Sequence, residues 1–403
     1  MKISLRWSNP DFLDLPWDLP LSLWKGACSR LEELPYGLSR HPVAFVNYDG
    51  VLYALKELPL DIAEKEYDLL MQIEGYNLPS VIATGHAQAS TPKGTTSILI
   101  TRYLESSLPY RTLFMSPSLE RYRKHLLDAI ASLLVQLHLA GVFWGDCSLS
   151  NTLYRRDAGA LRAYLVDAET VEIHPDICPP ALRFHDLQIM EENIECDLFD
   201  SQTVPSIPDK NINLPLADIS TYIRLRYQIL WEEITREDVI LPQEHFRIQE
   251  RIRALNSLGF SVGDVELTAT NGASHFRLRV DITDRNFHRN RLFSLTGLDV
   301  EEKQAQFMMN EIQELRAYLS QTSNRNVPLD VASFHWLEHT YQPVVKLLTP
   351  LVDEYTTQAE LYCQILEHKW YLSERAQRDV GHFSAAEDYL HRFSSQYQTG
   401  SSS

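Results

Sequence analysis

The sequence predicts an α+β protein of two domains, and three observations predict it. The chain has 403 residues, two to three times the usual domain length. Apolar residues at 44% and charged residues at 23% are ordinary for a globular chain and argue against wholesale disorder or a coiled coil. Strand-like patterning comes first along the chain and helical spacing dominates afterwards, with a second hairpin signal past residue 260.

In the first domain, Val43 to Val46 and Val51 to Leu55 are apolar runs separated by Asn47-Tyr48-Asp49-Gly50. Asp-Gly there is a strong short hairpin signal. Pro59 and Asp61 open a helix whose apolar residues recur at helical spacing from Ile62 to Ile73. Ser97 to Leu104 reads as a buried strand, Leu119 to Leu139 as one long apolar-faced helix, and Ala163 to Val166 as a short strand. Asp218 to Glu233 is a helix with Ile223, Tyr227 and Leu230 on one face. Prolines 205, 208 and 215 interrupt a polar stretch, and the domain break is placed near Pro242. This divides the chain into residues 1–242, an accessory α+β domain over 243–393, and a frayed tail over 394–403.

In the second domain, Val262 to Ala269 and Phe276 to Ile282 alternate around Asn271-Gly272, a hairpin. Arg277, Arg279, Arg285, His288, Arg289 and Arg291 make this the most basic stretch. A solvated sheet face explains it better than an anion site. Helices follow over Val300 to Leu319, Val331 to Leu348 with a break at Pro343, and Thr357 to Arg375. His335-Trp-Leu-Glu338-His339 formally matches a zinc-binding H-x-x-E-H pattern. Amphipathic packing is the better explanation, because a third ligand is not evident.

The net charge of −17 opposes a broad grip on nucleic acid or anionic lipid, so no nucleic-acid partner is expected. The longest nearly apolar stretch, Ala129 to Phe143, is too short to span a bilayer, so no membrane insertion is expected. The opening MKISLRWSNPDF lacks the apolar core of a signal peptide, which makes the cytoplasm the expected location. Five scattered cysteines without a C-x-x-C pair fit a reducing compartment. Between Glu169 and Asp200 nine carboxylates face one arginine, Arg183, and a solvated acidic face is the expected reading.

Chemistry concentrates in His138-Leu-Ala-Gly-Val-Phe-Trp-Gly-Asp146-Cys-Ser-Leu-Ser-Asn151, followed by Tyr164-Leu-Val-Asp167. Neither G-x-G-x-x-G nor G-x-x-x-x-G-K-[ST] occurs, so no Rossmann turn or Walker loop holds a nucleotide. A loop presenting Asp146, an amide at Asn151 and a carboxylate at Asp167 has the spacing of a phosphotransferase. One carboxylate accepts the proton of the attacking hydroxyl, while an amide oxygen and a second carboxylate hold Mg²⁺ against the phosphates. Upstream, Tyr53-Ala-Leu-Lys56 puts a lysine on the second hairpin strand. Its expected partner is Glu66, which shares a helix face with Leu69, Leu70 and Ile73, whereas Glu64 points away.

Y-A-L-K, E-Y-D-L-L, L-I-T-R-Y-L-E, W-G-D-C-S-L-S-N and L-V-D-A-E, in that order from about Leu31 to Val171, resemble the two-lobed protein-kinase-like fold. The resemblance is nearest the bacterial lipopolysaccharide-kinase and aminoglycoside-phosphotransferase branches. It implies ATP and Mg²⁺ as cofactors, Lys56 on the α/β-phosphates and Glu66, Asp146 as catalytic base, and Asn151 and Asp167 as metal ligands. The backbone from Arg102 to Leu104 would meet the adenine. The acceptor would be a hydroxyl of a protein, sugar or lipid.

Three departures from that pattern bear on activity. The loop Leu34 to Pro42 carries one glycine in place of a glycine-rich turn, D-A-E replaces D-F-G, and Trp144 stands where the family has histidine. The last change is expected to remove a hydrogen bond that orients the metal-binding aspartate. The alternative is a pseudokinase signalling through its second domain. From about Phe246 to Leu390, LNSLGF, LFSLTGLDVEEKQA and LEHKWYLSERAQRDVG resemble an uncharacterised bacterial domain that accompanies such kinases, which implies no reaction.

Overall fold

The computed structural model describes residues 1–34, 41–92, 94–115, 119–123, 125–203, 219–241, 244, 246–270, 275–353 and 355–397. The chain forms two compact units, one of Met1–Arg155 with Ala163–Trp231 and one of Arg156–Arg162 with Glu232–Ser403. The fold is mixed α+β, with a sheet at the start and helices in the majority afterwards.

The first unit opens on strands β1 (Lys2–Leu5), β2 (Leu31–Glu32), β3 (Val43–Tyr48) and β4 (Val51–Leu58), helix α1 (Ile62–Gly75), and strands β5 (Ile82–Thr91) and β6 (Gly94–Arg102). The six strands form one sheet in the order β1-β5-β6-β4-β3-β2, every neighbouring pair antiparallel. The hairpin expected at Asp49-Gly50 is present. Its register runs from Val43 opposite Lys56 to Tyr48 opposite Val51, and both turn residues have positive φ, 53° and 86°, the backbone that Asp-Gly favours. Phe12, Trp24, Val46 and Leu55 are fully buried in one cluster against this sheet. At Gly85 a Cβ would meet Ser4 O at 2.3 Å, so the close approach of β1 to β5 requires glycine. Asp61 precedes α1 without capping it; its carboxylate instead accepts from Gln88.

There follow β7 (Leu108–Pro109), α2 (Tyr110–Met115), α3 (Glu120–Arg123), α4 (Leu126–Leu139), β8 (Val142–Phe143), β9 (Thr152–Asp157), β10 (Ala160–Leu165), β11 (Glu172–Ile173), α5 (Pro180–Thr203) and α6 (Ile219–Thr235). The single helix expected over Leu119 to Leu139 is thus two, because Arg121 to His125 offers only Tyr122 as an apolar side chain to bury. The acidic run keeps its expected solvated face at Glu172, Asp176, Glu192 and Glu195, which are exposed, and departs from it at Asp186. Much of it is the long helix α5, which buries Leu187, Met190 and Ile194 on one stripe, together with Asp186. The prolines 205, 208, 215 and 242, the greater part of the one-glycine loop and Asn271-Gly272 lie outside the described residues.

The second unit holds β12 (Asp238–Ile240), α7 (Phe246–Ser257), β13 (Ser261–Thr270), β14 (His275–Asp284), α8 (Phe287–Thr296), α9 (Glu302–Ser323), α10 (Leu329–Trp336), α11 (Gln342–Leu348), α12 (Gln358–Ala376) and α13 (His382–Tyr397). Its strands pair in the order β12-β14-β13, and its core centres on Met308, Ile312, Trp336, Val344, Tyr362 and Ile365. The break expected at Pro343 lies one turn upstream, as a π-helical turn over Leu337–Tyr341. Pro343 itself sits in the first turn of α11, where its missing N–H costs nothing. His335 and His339 pack edge to face with ring centroids 4.5 Å apart. In the basic stretch, Arg289 pairs with Asp299 at 2.7 Å and His288 with Glu302 at 2.7 Å.

Candidate functional site

Strand alternation turns Tyr53 and Leu55 of β4 into the buried cluster and Lys56 to the other face of the sheet. Its ammonium lies 3.3 Å from both carboxylate oxygens of Glu66 on α1 and 2.7 Å from Oδ2 of Asp167. Glu66 is wholly buried and also accepts from the Ala168 N–H at 3.2 Å. It therefore ties the helix to both the strand lysine and the segment after β10. Burial works against the charge on Lys56, but the Glu66 and Asp167 carboxylates outweigh it and hold its pKa above the ordinary lysine value. Burial pushes Glu66 up from the ordinary carboxylate range, against the pull of Lys56.

Asp146 follows α4 and β8 on a loop that turns at Gly145, φ 79°. A Cβ at Gly145 would stand 3.0 Å from Thr170 O, so both backbone geometry and space favour glycine. The Asn151 amide nitrogen donates to the Asp146 carbonyl at 3.0 Å and to its Oδ2 at 2.9 Å. Asn193 on α5 donates to Oδ1 of Asp146 at 3.3 Å and to Cys147 O at 3.2 Å. Both carboxylate oxygens of Asp146 are thus oriented by amides.

Beneath this loop, Asp186 of α5 is fully buried. It accepts from the backbone N–H groups of Trp144 and Gly145, each at 2.7 Å, and from His138 Nε2 at 3.0 Å. With Asp186 taking the Nε2 proton, Nδ1 of His138 accepts from the Tyr227 hydroxyl at 2.8 Å. Burial lowers the His138 pKa against the raising pull of Asp186. Asp186 and Asn193 were hidden in the acidic run. The available signal was the Leu187, Met190, Ile194 stripe, which marks a helix packed on one face.

Trp144 overturns the expectation attached to it. Its indole N–H donates to the Asp167 carbonyl at 3.2 Å, and its own carbonyl accepts from Thr170 Oγ1 at 2.8 Å. Tryptophan therefore still supplies a hydrogen bond to the Asp167 backbone. Arg102 ends β6 opposite Tyr53 and Ile82 with its side chain exposed. Leu104 is half-buried and its carbonyl accepts from Ser107 N at 3.3 Å. Neither side chain joins the hydrogen bonds around Lys56.

The donor set fits a hard dication. Asn151 spends its amide nitrogen on Asp146 and keeps its oxygen, and each Asp167 oxygen accepts one hydrogen bond, from Glu169 N at 3.1 Å and from Lys56, which leaves lone pairs on oxygen only. Among the described residues no group of three or more His, Cys, Asp or Glu side chains forms a metal-holding cluster. Mg²⁺ bound with phosphates needs no such cluster, since it takes one or two protein oxygens beside substrate and water.

Comparison with known proteins places the two halves of the chain separately. Residues 51–225 match the family described as Lipopolysaccharide kinase (Kdo/WaaP) family, and residues 229–393 match a Domain of unknown function (DUF4032). No curated protein matches the chain. A solved structure described as "WaaP in complex with acyl carrier protein" is similar at 17% identity and a TM-score of 0.34, with 58% of this chain and 100% of that chain covered. The chain thus joins a kinase-like segment matching the lipopolysaccharide kinase (Kdo/WaaP) family to a second segment matching a domain of unknown function.

Proposed function

We propose that the protein is an ATP- and Mg²⁺-dependent phosphotransferase that moves the γ-phosphoryl group to a hydroxyl acceptor. The observation that carries this reading is the convergence of Lys56, Glu66 and Asp167 within 3.3 Å, beside a loop in which Asn151 holds Asp146. Lys56 is the cation for the nucleotide phosphates, kept in place by Glu66. Asn151 and Asp167 offer the oxygens that hold Mg²⁺, which when bound neutralises charge on the transferring phosphates. Asp146 accepts the acceptor's hydroxyl proton, its two oxygens aimed by Asn151 and Asn193. The backbone of Arg102 to Leu104 is assigned to the adenine. The cytoplasm is the proposed location; among the described residues no helix is long and apolar enough to cross a membrane.

Incubation with γ-labelled ATP and a cell lysate, beside the Asp146→Asn variant, tests the reading. Labelled product with the unmodified chain alone is the expected result. Nucleotide binding without labelled product in any lysate would favour the second reading, a pseudokinase, to which the D-A-E sequence at Asp167 points.

A further inference from the structure

Asn151 and Asp167 stand at the two feet of one β-hairpin. Strand β9 begins one residue after Asn151, and β10 ends two residues before Asp167. At the base the Val166 N–H donates to the Asn151 carbonyl at 3.2 Å. The tip of the same hairpin, Arg156–Arg162, belongs to the second compact unit. The tip and the feet are joined by the paired strands β9 and β10, roughly 15–20 Å long at the ordinary strand rise.

Within the second unit that tip is held on every side. Asp157 accepts from the Gln304 and Lys303 N–H groups at 2.8 and 3.1 Å, in the first turn of α9. Gln304 donates to Arg156 O at 3.0 Å and to Glu360 Oε2 at 2.9 Å, and the same Glu360 oxygen accepts from Ala158 N at 2.8 Å. Arg156 donates to Tyr355 O at 2.8 Å and also bonds Thr356 Oγ1. Arg162 donates to Asn286 Oδ1 at 2.7 Å. The turn itself has positive φ at Ala158 and Gly159, 48° and 78°, so an alanine occupies backbone that costs a non-glycine residue about 1 kcal/mol or more. Glu360 is fully buried, and Arg156 and Asp157 nearly so.

Buried charges are a poor route to stability, since well-packed apolar side chains of similar volume do as well or better. What such a network does well is hold one geometry. We propose that the second unit serves as the anchor of this hairpin, with Arg156, Asp157 and Glu360 as positioning residues that set the orientation of Asn151 and Asp167 toward the metal. The proposal rests on the phosphotransferase reading, and it gives the accessory domain a function in that reaction.

The test is Asp157→Ala in the full chain, with Arg156→Lys as the milder variant if the first does not fold. Two readouts are taken: the Mg²⁺ concentration required for half-maximal ATP binding, and hydrogen exchange of the strand amides at 152–155 and 163–165. The expected result is faster exchange in both strands and an Mg²⁺ requirement raised about tenfold, the usual cost of losing support behind a metal ligand, with Mg²⁺-free nucleotide affinity unchanged. Unchanged exchange in a folded variant overturns the proposal, as does an unchanged Mg²⁺ requirement. If the unmodified chain binds no Mg²⁺-dependent nucleotide, the phosphotransferase reading fails and the exchange result alone decides whether the second unit anchors the strands.

Discussion

At the scale of single residues, the proposed base Asp146 and the buried His138 call for different tests. Asp146→Asn removes the proposed base and keeps the shape, so transfer is expected to fall by roughly 10²–10⁴-fold while nucleotide affinity holds. Comparing labelled transfer with calorimetric binding checks this, and equal transfer would remove Asp146 from its role. Burial lowers the His138 pKa from its ordinary value. Below about pH 6.5, the ordinary value, the unfolded chain takes up a proton that the folded ring resists, so stability falls with pH in that window. The denaturation midpoint should drop between pH 7 and pH 5.5, and His138→Gln should flatten the drop. An equal drop in both proteins would place the sensitivity elsewhere. Trp144→Phe deletes the N–H bonded to Asp167 O and leaves a cavity beside the smaller ring, since the indole is fully buried. A cost of about 2–4 kcal/mol and weaker Mg²⁺-dependent nucleotide binding are expected, measured by denaturation and calorimetry.

At the scale of elements, α5 is the part that the sequence conceals and the site most needs. Asp-Gly between two apolar runs, and Glu66 on the face of Leu70 and Ile73, were legible because their signals are local. Asp186 was not legible: its role depends on the Trp144 and Gly145 N–H groups, more than forty residues earlier, and a carboxylate in an acidic run carries no mark of burial. Strand β5 escaped for a related reason. Its alanines and glycine have weak strand preference, and its neighbours β1 and β6 impose the conformation. Trp144 was misjudged because residue type alone did not show that an indole N–H reaches the Asp167 carbonyl. Asp186→Ala leaves two buried backbone N–H groups unpaired, each costing about 1–3 kcal/mol. Chemical denaturation should register a loss of several kcal/mol, and a loss under 1 kcal/mol would contradict the placement of α5 beneath the loop.

At the scale of the whole molecule, the chain crosses between its two compact units at three places, 155/156, 162/163 and 231/232. Proline punctuation pointed to a break near Pro242, and nothing in the residues 156–162 announced that a hairpin tip belongs with the later half. Such membership comes from tertiary bonds such as those of Asp157 with α9, which no local pattern encodes. The claim on which the account turns is that Lys56 and Asp167 meet a nucleotide and its metal. Calorimetric titration of the full chain with ATP, with and without Mg²⁺, tests it most directly, with Lys56→Ala and Asp167→Ala alongside. The account predicts Mg²⁺-dependent binding that each substitution weakens; no binding heat in the unmodified chain, or heat that neither substitution changes, would contradict it.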